Sequence, residues 1–262
     1  MSSLAISFIG SGNLAWHLAP ALDNVGFVIR EVYSRNPRRA KELTGRLYQA
    51  EIHTSLDFSN SQSQVFIIAV SDDAIKSIVQ DIVLPDDAIL LHTSGSQPLS
   101  VLGYAATPHI GVFYPLQTFS KSKKVDFKSI PIFIESETPE AEKVCLQLAK
   151  KISSDVRTIG SRERKALHVA AVFASNFANH MLTISKDLLT ENKLDFDLLK
   201  PLIAETLNKG LSIGPDNAQT GPAKRGDYEI LDHHVEFLQH DESLAAIYRM
   251  ISQHIIDRYE SD

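Results

Sequence analysis

The N-terminal stretch reads Leu4-Ala5-Ile6-Ser7-Phe8-Ile9-Gly10-Ser11-Gly12-Asn13-Leu14-Ala15. Its first six residues are almost all apolar, which is typical of a strand buried on both faces of a parallel sheet. Two glycines follow directly, and the pattern from Leu14 onward predicts a helix that ends before Gly26. A strand, a glycine turn and a helix in this order form the context in which such a turn binds a dinucleotide.

The small residues of this turn have separate roles. Gly10 permits the tight turn, Gly12 lets the backbone approach a pyrophosphate, and Ala15 lets the helix pack against the strand. Backbone N–H groups at the start of the helix would then bind the anion. The predicted binding residues here are Gly10, Ser11, Gly12, Asn13 and Leu14. The alternative is a glycine turn that serves only the close contact between strand and helix.

The tip of the second predicted strand, residues 27–34, favours one of the two nicotinamide cofactors. An Asp or Glu about 20 residues beyond the glycines usually binds the free 2′-hydroxyl of NAD, but Glu31 lies inside the strand. Ser34 and Arg35, followed by Asn36, suit the 2′-phosphate of NADP, because a guanidinium donates several hydrogen bonds to a phosphate. The alternative is that the arginines of this segment begin a solvated helix.

Two further strands end in small polar residues. Val70-Ser71-Asp72 follows one apolar run, and Thr93-Ser94-Gly95 follows the next. Ligands of open parallel sheets bind outside the carboxyl ends of the strands, so these residues are predicted to face the ribose and nicotinamide of the cofactor. Asp72 and Asp73 are equally well explained as N-caps of the following helix.

The alternation of strands and helices stops near Gly160, and the pattern beyond it is helical. We therefore predict a Rossmann-type, mostly parallel α/β domain over residues 1–160 and an all-α domain over residues 161–262.

A polar stripe marks the first helix of the predicted second domain. Lys165, His168, Asn176 and Asn179 share an arc of about 80° on an ideal helix. The apolar residues between 169 and 181 predict that this helix is buried on several sides. Buried amides and an imidazole need partners, which a neighbouring helix or a ligand could supply. In a hydride-transfer enzyme, Lys165 or His168 would donate the proton and Asn176 would hold the substrate.

Composition excludes several classes of protein. The 262 residues carry a net charge of −6, which disfavours nucleic acid as a partner. The apolar runs are too short to cross a membrane, and the single Cys145 fits a reducing, cytoplasmic environment.

His233 and His240 share a helix face, but no Cys or nearby acidic side chain completes a ligand set, so no metal is expected.

Several segments together resemble one known family. Besides the glycine turn they are Ser34-Arg35-Asn36, Ala69-Val70-Ser71-Asp72, His92-Thr93-Ser94-Gly95-Ser96, Phe113-Tyr114-Pro115-Leu116-Gln117-Thr118-Phe119, His168-Val169-Ala170-Ala171, Ser175-Asn176-Phe177 and Gly221-Pro222-Ala223-Lys224-Arg225-Gly226-Asp227. The set resembles Rossmann-like NADP oxidoreductases with a helical C-terminal domain of unknown function, relatives of pyrroline-5-carboxylate reductase and of the deazaflavin-dependent NADP oxidoreductases. The resemblance implies an NADP-binding domain, a C-terminal domain like that of 6-phosphogluconate dehydrogenase, and a homodimer paired through its helices.

The resulting prediction is an NADP(H)-dependent oxidoreductase that reduces a small carbonyl or imine compound in the cleft between the domains. The alternative is a non-catalytic NADP-binding sensor or regulatory dimer. The chain lacks the Pro-Gly-Gly-Thr-type loop of pyrroline-5-carboxylate reductases, which argues against proline synthesis. Asp227 is predicted to cap the helix that begins at Tyr228, whereas Arg225 either binds an anionic substrate or has a structural role.

Overall fold

A computed structural model describes residues 4–259. Its strands are Ala5–Ile9 (β1), Val28–Tyr33 (β2), Glu51–His53 (β3), Val65–Ile68 (β4), Ile89–His92 (β5), His109–Pro115 (β6), Ile132–Ser136 (β7) and Val156–Thr158 (β8). They form one sheet in the order β3-β2-β1-β4-β5-β6-β7-β8. Neighbouring strands are parallel, except that β6 and β7 are antiparallel. The predicted fold class, a mostly parallel Rossmann-type sheet followed by helices, is confirmed.

The direction in which strands are added reverses between β1 and β4. From β1 the chain builds outward through β2 to β3, and it then returns to the other side of β1 to begin β4. The carboxyl ends of β1 and β4 therefore border a crevice that no crossover helix fills. In open α/β sheets this switch point is the usual place for a ligand.

Helices cover both faces of the sheet. They are Asn13–Asn24 (α1), Pro37–Thr44 (α2), Asp72–Asp81 (α3) and Pro139–Ile152 (α4), with short 3₁₀ turns at Leu99–Tyr104 and Phe127–Ser129. One apolar cluster packs α1, α2 and α4 on the sheet, and the other packs α3 and the first 3₁₀ turn on the opposite face. Cys145 is fully buried in the first cluster, and burial raises the pKa of its thiol to about 12, as expected of a packing residue.

The remainder of the described chain is helical. It comprises Ser161–Ala171 (α5), a π-helix at Val172–Phe177, Ala178–Glu191 (α6), a 3₁₀ turn at Phe196–Leu199, Lys200–Ile213 (α7), Pro215–Ala218 (α8), Pro222–Arg225 (α9), Tyr228–Phe237 (α10) and Glu242–Tyr259 (α11). The chain forms two compact units, divided between His180 and Met181. The predicted boundary at residue 160 marks the end of the sheet, whereas α5 and the π-helix belong to the unit that contains the sheet. Within residues 4–259, no helix combines the length and apolarity that a membrane span requires.

The helix that follows the sheet differs from its prediction. It was expected to be buried on several sides, but Val169, Phe173 and Phe177 are 47%, 64% and 49% exposed. Residues 172–191 include none that is buried. For the described residues of a single chain the expectation is wrong, because these apolar side chains are exposed at the surface.

Candidate functional site

A groove of about 520 Å³ lies at the switch point of the sheet. It is lined by Gly10, Ser11, Gly12, Asn13, Leu14, Tyr33, Ser34, Arg35, Asn36, Arg39, Ala69, Val70, Ser71, Asp72, Ile78, Thr93 and Ser94. These residues include every predicted cofactor-binding residue except Gly95. The structure therefore brings the ends of four strands together at one site, as the sequence predicts.

The two glycines of the turn are needed for different reasons. Gly10 has φ +115°, and a Cβ added there would lie 2.2 Å from the carbonyl oxygen of Ala69, so only glycine fits. Gly12 has ordinary extended backbone, and an added Cβ would meet only the same oxygen, at 3.9 Å. The protein itself thus has room for a side chain at Gly12. A glycine there keeps the groove open for the close approach of a ligand.

The start of α1 suits an anion. No side chain caps its first turn, because the cap position is Gly12. Its first N–H groups therefore face the groove, where the helix dipole also favours negative charge. The side chain of Asn13 points elsewhere: its amide donates to the carbonyl oxygen of Phe119 at 3.0 Å and ties the loop after β6 to the glycine turn. Asn13 therefore offers its backbone, rather than its amide, to the groove.

The tip of β2 has the charge that a 2′-phosphate requires. The guanidinium groups of Arg35 and Arg39 are exposed beside the groove. The hydroxyl of Ser11 donates to Ser34 at 2.9 Å, which holds the two turns together. Asn36 accepts from two backbone N–H groups of α2 and so caps that helix as well as lining the groove. Glu31 accepts from serine hydroxyls inside the sheet, so its carboxylate is not available at the tip.

The acidic pair after β4 does not cap the following helix, which was the alternative to a place in the groove. Helix α3 begins at Asp72 with Ser71 in the cap position, so Asp72 and Asp73 belong to the first turn and neither is the N-cap. Asp72 lines the groove, and its carboxylate accepts a short hydrogen bond from the hydroxyl of Ser96. This bond links the carboxyl ends of β4 and β5.

A buried histidine shapes the turn after β5. Nδ1 of His92 accepts the backbone N–H of Ser94 at 3.1 Å, so the ring carries its proton on Nε2. His92 is fully buried, and burial, helped by the positive charge of Arg164, lowers its pKa to about 3. The imidazole is therefore neutral at physiological pH and acts as a fixed acceptor that sets the course of the Thr93–Gly95 turn.

A second cavity, also about 520 Å³, contains the candidate catalytic residues. It is lined by Tyr114, Leu116, Gln117, Thr118, Leu167, His168, Ala170, Ala171, Val172, Ala174, Ser175 and Asn176. The hydroxyl of Tyr114 lies 3.1 Å from Nδ1 of His168. A Cβ added at Gly95 would lie 2.5 Å from the same nitrogen, so the backbone of Gly95 is in direct contact with the imidazole. Gly95 therefore joins Ser94, which lines the groove, to the imidazole of His168, which lines the second cavity.

The π-helix brings Asn176 into this cavity. On an ideal α-helix, Asn176 would be rotated by about 80° from His168. The wider turn at Val172–Phe177 changes that register, and π-helical turns of this kind are frequent at functional sites. Lys165 is exposed and does not line the cavity, and neither does Asn179. Of the predicted polar stripe, only His168 and Asn176 come together.

Three residues of the site were missed by the sequence analysis. Arg39 lines the groove, Tyr114 is bonded to His168, and Arg164 is almost fully buried and donates to the carbonyl oxygen of Ser94, a residue of the groove. Tyr114 lies within the Phe113–Phe119 motif, which could have drawn attention to it. No sequence signal marked Arg164, because its partners are distant along the chain.

Arg225 and Asp227, the two residues singled out in the Gly221–Asp227 loop, bond to each other. Arg225 donates from two nitrogens to one carboxylate oxygen of Asp227. Asp227 does occupy the cap position of α10, but its side chain makes no capping bond, so the predicted cap is wrong in that detail. Over the described part of the chain, no three His, Cys, Asp or Glu side chains are grouped as a metal site would need.

Two family models match the chain. The first, "NADP oxidoreductase coenzyme F420-dependent", matches residues 5–94, and the second, "Domain of unknown function (DUF2520)", matches residues 130–255. The first match contains every predicted cofactor-binding residue except Gly95, and the second begins in the last part of the sheet and contains His168 and Asn176. No curated protein matches the chain.

Solved structures extend the similarity to the full length. A "putative NADP oxidoreductase" from Bacteroides fragilis is 40% identical with a TM-score of 0.89, covering 97% of this chain and 98% of that one. A protein from Thermotoga maritima is 23% identical with a TM-score of 0.71, covering 98% of each chain. A reductive aminase from Aspergillus terreus, solved with NADPH and ethyl levulinate, is 12% identical with a TM-score of 0.71, covering 98% and 95%. The last two show a shared fold.

Proposed function

This chain belongs to the same family as the "putative NADP oxidoreductase" of Bacteroides fragilis, and from that premise we propose that it is an NADP(H)-dependent reductase of a small carbonyl or imine compound. One observation carries the proposal. The loop that ends the cofactor groove, at Gly95, is in contact with the imidazole of His168, which lines the second cavity. A dinucleotide in the groove and a substrate in the cavity would therefore meet at Gly95. The fold shared with the reductive aminase of Aspergillus terreus agrees with this class of chemistry.

The proposed chemistry uses the pair formed by Tyr114 and His168. When bound, the reduced nicotinamide supplies a hydride to the carbonyl or imine carbon, and the oxygen or nitrogen must then gain a proton. Burial raises the pKa of Tyr114, so its hydroxyl stays protonated, and in the proposed mechanism we assign it as the donor to Nδ1 of His168. The ring proton is then on Nε2, which donates to the substrate. The imidazole then regains its proton from water, while the hydroxyl of Tyr114 stays protonated and holds the ring through its bond to Nδ1.

Asn176 completes this arrangement. Its amide lines the same cavity as His168 and can donate a hydrogen bond to the substrate oxygen as negative charge develops there. The predicted role of Lys165 as a proton donor has less support, because that side chain is exposed and outside the cavity lining.

The cofactor of the proposal is NADP, and one variant tests this choice. Replacing Arg35 with alanine is expected to weaken NADPH binding at least about tenfold, because a charge-assisted hydrogen bond contributes roughly 1.5–3 kcal/mol. NADH binding should change less than about twofold, since NADH carries no 2′-phosphate. Isothermal titration calorimetry with both nucleotides measures the difference. Arg38→Ala is the matched control, because Arg38 is exposed and does not line the groove. Equal losses for NADPH and NADH would contradict the assignment.

The proposal includes a homodimer formed through the helices. Apolar side chains are exposed on both compact units, including Phe173 at 64% and, on α7 and α11, Leu211 at 88% and Met250 at 71%. A dimer that covers these side chains would account for their exposure, which supports the proposal. The wild-type protein is expected to have about twice its chain mass of 29.0 kDa in light scattering, and Leu211→Glu should yield monomers. Tyr48→Glu, at a 95% exposed position on the sheet unit, is the control. A monomeric wild type would contradict the dimer.

A further inference from the structure

Arg164 is the most completely buried charged side chain in the described sheet unit. It is 1% exposed, and it makes five hydrogen bonds, one for each N–H of its guanidinium. Two go to one carboxylate oxygen of Glu135, at 3.1 and 2.9 Å, and a third, at 3.4 Å, goes to the hydroxyl of Ser161. The other two go to the carbonyl oxygens of Ser94 and Gln97, both at 2.8 Å.

These bonds join three separate pieces of the site. Glu135 lies on β7, Ser94 and Gln97 belong to the loop after β5, and Arg164 itself lies on α5. His168 follows Arg164 by one helical turn and so lies on the same side of α5. The backbone of Gly95, between the two bonded carbonyls, is in contact with the imidazole of His168. The position of the loop relative to the imidazole is therefore set by Arg164.

We infer that Arg164 is a positioning residue, which holds the Ser94–Gln97 loop and the His168 helix in one fixed geometry at the nicotinamide end of the groove. This inference rests on the proposed function. It requires an arginine, because a planar guanidinium can bind one carboxylate and two carbonyls at once, whereas a lysine ammonium is a point charge with three donors. Stability is a weaker explanation for the residue, because apolar residues often replace buried ion pairs without loss of stability.

The test compares two ligands that differ only at the nicotinamide. One is NADPH, and the other is 2′-phospho-ADP-ribose, which has the pyrophosphate and the 2′-phosphate but no nicotinamide. Arg164→Lys keeps the charge and most of the side-chain volume, and Arg164→Met removes the charge. In both variants we expect NADPH to bind at least about tenfold more weakly, while the affinity for 2′-phospho-ADP-ribose stays within about twofold. The ratio of the two affinities is independent of any general loss of stability.

Arg157→Met is the control. Arg157 also pairs with a carboxylate, that of Asp155, but it is exposed, and neither residue of this pair lines the groove. Its affinity ratio should equal that of the wild type. If Arg164→Met fails to fold by circular dichroism, Arg164→Lys alone decides the question. A folded Arg164→Lys protein with an unchanged ratio would overturn the positioning role and leave the proposed function intact. A wild type that binds neither ligand would overturn the proposed function, and this inference with it.

Discussion

A valine in place of Gly12 is expected to abolish NADPH binding and to leave the protein folded. The backbone at Gly12 is extended, and an added Cβ meets only the carbonyl oxygen of Ala69, at 3.9 Å, so a side chain can begin there without a backbone shift and we expect the variant to fold. Its side chain would occupy the space beside the uncapped start of α1, where the pyrophosphate is proposed to bind. We expect the dissociation constant to rise at least about 100-fold, which corresponds to about 2.7 kcal/mol. Calorimetric titration measures the loss, and thermal unfolding checks the fold.

Gly103→Val is the matched control for this variant. A Cβ at Gly103 meets nothing within 4 Å, and the residue lies in a 3₁₀ turn that does not line the groove. Its NADPH affinity should equal that of the wild type. If Gly12→Val were to bind NADPH as tightly as Gly103→Val does, the groove would not be the cofactor site and the glycine turn would serve only the contact between strand and helix.

Removal of His168 is expected to have the largest effect on turnover. Proton transfer by a positioned side chain contributes typically 10²–10⁴-fold to a rate, so His168→Ala should lose about that factor with a substrate found in a panel of ketones and imines. Tyr114→Phe, which removes the hydroxyl bonded to Nδ1 but keeps the ring, should lose less. NADPH binding should stay within about twofold in both variants, because neither side chain lines the groove. The assay is the disappearance of NADPH absorbance.

His180→Ala is the control, since His180 is an exposed histidine on α6, outside the lining of the cavity. It should turn over substrate at the wild-type rate. Wild-type activity in His168→Ala would remove the residue from the mechanism. A wild type that binds NADPH but reduces no compound of the panel would favour the alternative function, a non-catalytic NADP-binding sensor.

The centre of the sheet could be predicted well from the sequence, because β1, β4 and β5 are almost wholly apolar runs that are soon followed by glycine or small polar residues. Two features could not. The edge strand β3 contains the short polar segment Glu51–His53, which has no apolar pattern. The antiparallel pairing of β6 with β7 depends on which neighbour a strand meets, and the local sequence of His109–Pro115 does not record this.

The cofactor groove was predictable for a related reason. Its residues lie at the ends of consecutive strands, and the topology of a parallel sheet brings those ends together. The second cavity depends on contacts across the chain instead, such as those of Tyr114 with His168 and of Arg164 with Glu135. A helical projection also assumed regular α-helix through Val172–Phe177, and the π-helix there changes which side chains share a face.

The central claim, that the groove binds NADP(H), is tested most directly by titrating the wild-type protein while exciting its single tryptophan. That residue, Trp16, lies on α1 about one turn after Gly12, and its emission overlaps the absorption of the reduced nicotinamide. We predict that NADPH lowers the emission of Trp16 while the emission of the reduced nicotinamide rises, and that both changes saturate at micromolar concentrations. NADH should require much higher concentrations for the same changes. Unchanged Trp16 emission with either nucleotide up to millimolar concentration would contradict the claim.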